Sequence, residues 1–284
     1  MAREPASRPI GQKRRWYMDL LPVTVCFALL ISVGFLPPDT SKAEVDKAGR
    51  LNVCMPSQYA PLVTRNRDMP GFEVELVREI ADRQGWRLNI VSNAAMGRDF
   101  NPRNWRINRA QCQMLAGGIA INASTRSFLD TSNPHLLTGW AVVAKPGVTL
   151  DQIEGQVGFF AGLTGLDRLA LGQYLRGMGV SPKIINSGPA LLGAVESGQV
   201  EAGISEALLA ASTFGDTEYD VTLMGEPIQR FPLGMGFWKG DTTLQMTVQK
   251  TLSDIWADGT MVEIAARYDL DEQFLCEPDE VLCQ

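Results

Sequence analysis

Few side chains in this sequence can do chemistry, and their types narrow what that chemistry is. One histidine, His135, occurs in 284 residues. A zinc site with several histidines is excluded, and a Ser-His-Asp triad would have to run through that single residue. Gly117 and Gly118 sit inside the apolar run Met114 to Ile121. Adjacent glycines in a strand mark close backbone approach by a ligand or another chain. Arg126 follows the end of that run, where α/β sheets present ligand contacts; a surface salt bridge is the competing reading. Thr164 and Gly165 open a helical pattern whose first N–H groups suit an anion, though every helix has such a start. Glu206 follows the strand pattern Val200 to Ile204 at a cleft edge, where a ligand contact and a helix-capping or solvated glutamate are equal readings.

The cysteines point to an oxidising compartment. Cys26 lies in an apolar leader, and four others remain: Cys54, Cys112, Cys276 and Cys283. An even number reads as two disulfides, Cys276 with Cys283 and Cys54 with Cys112. A pair of buried free thiols is the alternative for Cys54 and Cys112. The spacings do not suit a metal, and no cofactor motif is present.

The leader itself is legible. Lys13, Arg14 and Arg15 precede an uncharged run from Leu20 to Leu36, and Ser41-Lys42-Ala43 places small residues at the two positions a signal peptidase reads. Residues 1–43 are thus expected to be a signal peptide or an N-terminal membrane anchor. Their removal takes six basic and three acidic side chains and leaves a net charge of −9, against −6 for the whole chain. Acidity of this kind excludes a phosphate-tracking nucleic-acid binder. A composition 45% hydrophobic and 20% charged is ordinary for a globular chain of about two domains.

Elements that could position these residues follow from periodicity. Leu51 to Cys54 reads as a buried strand, and Met55 to Pro70 as a loop. From Gly71, Phe72, Leu76, Val77, Ile80 and Ala81 form one helical face, with Glu73, Glu75, Arg78 and Glu79 on the other. Trp86 to Val91 alternates as a strand. The stretch Ala94 to Arg109 carries Arg98, Arg103, Arg106 and Arg109 and reads as a solvated basic face. Strands and helices then alternate to a last helix at Thr260 to Tyr268. The pattern predicts α/β layers with mainly parallel sheets in two lobes.

In this order the motifs resemble a known family. Gly71-Phe-Glu-Val-Glu-Leu, Ala116-Gly-Gly-Ile-Ala-Ile-Asn122 and Ser132-Asn-Pro134 are similar to the first lobe of extracellular solute-binding proteins of the polar amino-acid class, family 3. Gly162-Leu-Thr-Gly165, Ala194 to Ala202, Leu233 to Gly240 and Ile255 to Thr260 continue the match, so that it covers roughly Leu51 to Tyr268.

The resemblance implies a type II periplasmic-binding fold. Lobe 1 would hold residues 50–137 and 232–284, and an inserted lobe 2 residues 138–231, hinged by two crossing segments. It implies a periplasmic monomer with a small-molecule solute in the cleft, delivered to an ABC permease, and no catalysis. By the same resemblance Arg126 binds the solute carboxylate, as a guanidinium can with two parallel hydrogen bonds. Glu206 binds its amine, Gly118 and Ala120 offer backbone groups, Tyr59 stacks on its side chain, and Thr164 and Gly165 face it. The chain departs from the pattern at Pro56, Ala120 and Ala161, which thins the amino-acid recognition set. Two alternatives share the fold. One is a dehydratase-like enzyme using Glu206 as an acid. The other is an accessory protein for a periplasmic quinoprotein dehydrogenase, which the Val53-Cys54 strand and Cys112 resemble.

Overall fold

A computed structural model describes residues 16–33, 38–96, 101–162 and 165–277. The chain divides into two compact units, with the boundary in sequence between Pro38 and Asp39. In the first unit the described residues form helix α1 (Trp16–Val33). Among the described residues no helix is long and apolar enough to cross a membrane. Lys13, Arg14, Arg15, Leu36 and Pro37 lie outside the described residues.

The second unit begins with α2 (Ser41–Ala48), β1 (Arg50–Pro56), α3 (Phe72–Arg83), β2 (Arg87–Asn93), β3 (Met114–Ala120), α4 (Ala123–Phe128), β4 (Leu129–Thr131) and β5 (Leu136–Thr138). There follow β6 (Trp140–Ala144), β7 (Gln156–Phe160), α5 (Arg168–Gly177), β8 (Ser181–Ile184), α6 (Gly188–Glu196), β9 (Ala202–Glu206), α7 (Ala207–Phe214) and β10 (Asp220–Leu223). The chain then returns through β11 (Phe231–Trp238) to α8 (Thr242–Ala257) and α9 (Thr260–Ala266).

Two sheets result, one in each lobe. The first runs β2-β1-β3-β11-β4, with β5 also on β11, and the second β10-β6-β9-β7-β8. Each has a parallel trio: β2, β1 and β3 in one, and β8, β7 and β9 in the other. Antiparallel strands complete both, β11 beside β3 and β6 beside β9. In each sheet a single strand runs against the others, β11 in the first and β6 in the second, so the remaining strands point one way and both sheets are mainly parallel as expected. The two crossing segments pair with each other: Phe231 faces Thr138, and Leu233 faces Leu136.

Packing follows the expected faces with instructive exceptions. On α3, Phe72, Leu76, Val77, Ile80 and Ala81 are buried, and so is Glu73, which periodicity had placed on the polar face. On α8 the buried stripe is Leu244, Val248, Leu252 and Ile255. The arginine-rich stretch is not a solvated face throughout. Trp105 and Ile107 are buried with Met96 against Cys54, Cys112, Leu115 and Ile119, forming a second small core. Its arginines stay outside: Arg103 and Arg106 are exposed, and Arg109 pairs with the buried Asp241. Arg98 lies outside the described residues. A tryptophan among arginines can be the anchor of a cap whose charged stems remain in water.

Cys54 and Cys112 are joined, with their Cα atoms 5.6 Å apart across 58 residues of chain. Cys276 is buried and disulfide-bonded, and its expected partner Cys283 lies outside the described residues. The Cys54–Cys112 bridge closes a loop containing α3, β2 and the small core. Cys54→Ser with Cys112→Ser is expected to lower the unfolding free energy by about 3 kcal/mol, mainly by freeing the unfolded chain. Urea unfolding of the oxidised wild type against the variant measures it, and equal midpoints would show that the bridge contributes nothing.

Candidate ligand site at the junction of the two sheets

The C-terminal ends of β1 and β3 in one lobe meet the end of β9 in the other. Residue types at these ends build two buried carboxylate clusters.

Glu206 ends β9 and precedes α7. Its carboxylate accepts from the N–H groups of Leu208 at 3.1 Å and Leu209 at 2.9 Å, so it caps that helix. It also accepts from the hydroxyls of Thr138 and Tyr59, the latter at 3.2 Å. Thr138 comes from crossing strand β5, and Tyr59 from the loop after β1. One side chain thus joins the hinge, the first lobe and the second. Glu206 is fully buried, and among the described residues all four of its donors are neutral. Burial pushes its pKa up, and the hydrogen bonds from Thr138, Leu209, Leu208 and Tyr59 only partly offset this. Burial and the neighbouring Glu206 charge hold the Tyr59 phenol well above its usual range.

Glu73 forms the second cluster. Its Oε2 accepts from the N–H groups of Gly117 and Gly118, the latter at 3.1 Å. Its Oε1 lies 2.8 Å from His135 Nε2. Both Glu73 and His135 are buried, and His135 Nδ1 has no partner. That pattern assigns the Nε2–H tautomer. The glycines are required here. Gly117 and Gly118 have φ of +96° and +86°, and a Cβ on Gly118 would come within 2.4 Å of the Tyr59 ring. In this conformation their N–H groups leave the strand ladder and need another acceptor. Glu73 supplies it, and in doing so sets the surface against which Tyr59 lies.

The expected site residues fall into separate places. Tyr59, Gly118 and Glu206 come together as described. Tyr59 joins the site through its hydroxyl, and the Gly118 N–H is already taken by Glu73. Ala120 is buried near the end of β3. Arg126 is exposed on α4 and lines a different cavity, of about 1040 Å³, with Asn122, Asp130, Arg230 and Lys239. Lys239 there pairs with Asp130 at 2.6 Å, and Arg230 binds the carbonyls of Met224 and Leu223. Arg126 makes no ion pair among the described residues. Thr164 lies outside the described residues, and Gly165 is half-buried.

The helix expected to open at Thr164 and Gly165 begins only at Arg168. Asp167 caps it, accepting from Leu169 and Ala170 at 2.9 Å each. An aspartate three residues on is the stronger start signal, and it uses the N–H groups an anion would have taken. Sequence reasoning missed Glu73 and Thr138 as site residues. The signal for Glu73 was present in the glycine pair, whose displaced amides require a buried acceptor.

Two α/β lobes joined by paired crossing strands, with polar clusters buried at the seam, define the type II periplasmic-binding architecture. A polar amino acid ABC uptake transporter substrate binding protein from Streptococcus thermophilus superposes with a TM-score of 0.70. It is 15% identical, and the match covers 83% of this chain and 93% of that one. An ancestral cationic amino acid solute binding protein superposes at 0.62, with 18% identity over 80% of this chain and 98% of that one. The chain belongs to the bacterial extracellular solute-binding proteins, family 3, whose model matches residues 51–271. It is 21% identical to the L-cystine-binding protein TcyJ of Escherichia coli K12, over 79% of this chain and 84% of that protein.

Proposed function

We propose that this protein acts outside the cytoplasm, binding an amino-acid-class solute with a cationic nitrogen between its lobes and handing it to an ABC importer. Glu206 carries the reading. It is a buried carboxylate at the lobe seam whose described donors are all neutral. Buried charges are normally paired, and a solute ammonium is the missing partner. The amine would replace the Tyr59 or Thr138 hydroxyl, and opening and closing about the crossing strands would admit it. The solute carboxylate would be read by Arg126 if lobe motion brings α4 to the seam. Catalysis is not favoured. The side-chain groups bonded to Glu206 are two hydroxyls, and burial beside Glu206 keeps the Tyr59 phenol protonated, so neither can take a proton from a substrate.

The test is a thermal-shift screen of refolded protein, stripped of bound solute, against the standard amino acids. A bound solute must raise the melting temperature by mass action. At 100 times its Kd the gain is about 2.7 kcal/mol, or roughly 5–10 °C for a unit of this size. Arg126→Ala is expected to erase the shift if that guanidinium reads the carboxylate, and an unchanged shift would remove Arg126 from the site. A flat screen favours a second reading, a protein partner such as a periplasmic dehydrogenase. That reading is supported by how fully Glu206, Glu73 and their donors satisfy one another.

A further inference from the structure

Residues 39–43 combine a buried anchor, a helix start and a cap on a distant helix, although the leader pattern expects them to be removed. Ser41 and Val45 of α2 are 5% and 1% exposed. The start of α8 lies beside them. Its own N-cap residue, Asp241, makes no capping bond, because its side chain turns to Arg109. The first N–H groups of α8 are instead satisfied from across the fold. Asp39 accepts from the Thr243 N–H and from the Thr242 hydroxyl at 3.0 Å. Ser41 Oγ accepts from the Leu244 N–H at 3.2 Å and lies 3.1 Å from Thr243 Oγ1. Asp39 Oδ1 also takes the Ser41 N–H at 2.8 Å, which ties the two capping residues together.

We propose that residues 39–43 belong to the working protein as the N-terminal cap of α8, and that any removal of the leader occurs upstream of Asp39. A cut after Ala43 would strip both capping side chains from α8. It would take the first turn from an eight-residue helix and remove a carboxylate from the positive end of the α8 dipole. Hydrogen bonds outweigh burial at Asp39 and hold its carboxyl well below the usual range, so the cap carries its charge at any physiological pH. Upstream, Ser32 and Gly34 offer another pair of small residues at the spacing a signal peptidase reads. This inference rests on the reading of an export leader but not on any bound solute.

The experiment expresses the full chain in a bacterium, recovers the exported protein and determines its first residue by N-terminal sequencing. A first residue at or before Asp39, including an uncut chain, is expected. A protein that begins at Glu44 overturns the proposal. The double variant Asp39→Ala/Ser41→Ala in the full chain is the second arm. It is expected to melt about 4–8 °C lower, as the loss of two caps implies. Lys42→Ala, whose partner Asp46 is exposed, should melt with the wild type. Identical melting of the double variant and the wild type also overturns the proposal.

Discussion

Replacing Glu73 by alanine is expected to lower the unfolding free energy by about 4 kcal/mol, the cost of removing one member of a buried charged cluster. Three donors lose their acceptor at once: the Gly117 and Gly118 amides and the His135 ring. None can turn to solvent, since the glycines lie under Tyr59 and Pro56 and His135 is buried. The melting temperature should fall by roughly 10 °C. Glu73→Gln separates this account from simple loss of packing. Its amide oxygen can accept both glycine N–H groups, and its NH2 can donate to His135 once that ring moves its proton to Nδ1. More than half of the stability should return. Differential scanning calorimetry decides the matter, and an alanine variant that melts with the wild type would refute it.

The second large effect concerns binding. For the amino acid that gives the greatest thermal shift, Glu206→Gln should weaken affinity on the order of 1000-fold, as for loss of one partner in a buried ion pair. The carboxylate must be ionised to hold a cation, and burial raises its pKa. Wild-type affinity should therefore climb as pH rises from the ordinary carboxylate range through that raised value. The variant should show no such climb. Stability of the ligand-free protein moves the other way. A group with a raised folded pKa adds stability below its unfolded pKa, which is lost as pH rises through its folded pKa. Wild type should thus lose stability relative to Glu206→Gln over the same window. Isothermal titration at several pH values checks the affinity, and a pH-independent Kd for the wild type would remove Glu206 from the amine site.

Much of the architecture was legible because apolar periodicity reports burial directly. The α8 stripe and the β3 run read correctly for that reason, and the even number of cysteines gave the pairing of Cys54 with Cys112. Glu73 was misread for a physical reason. Periodicity assigns a charged residue to water, but the first turn of α3 lies beneath two amides that need an acceptor. Trp105 was obscured by arginines, whose charges reach solvent while their neighbours pack. The helix start at Thr164 and Gly165 was displaced by Asp167, a local capping choice that apolar spacing does not register. Glu206 could not be resolved between cap and ligand contact because it is a cap that also faces the other lobe. Only the meeting of β9 with the loop after β1 reveals that, and such contacts between distant segments have no local signature.

The pairing of the crossing strands has a mechanical consequence. Because β5 and β11 are hydrogen-bonded to each other from Phe231–Thr138 to Leu233–Leu136, neither can slide along the other without breaking the ladder. The C-terminal segment adds to this ribbon, with Leu275 bridged to Leu136 and the Cys276 N–H bonded to the His135 carbonyl. The joint therefore behaves as a flexure, compliant in bending and torsion but stiff in shear. Its stiffness is set in part by the tail, so trimming the chain ahead of Leu275 would soften the spring by removing the bridge to β5.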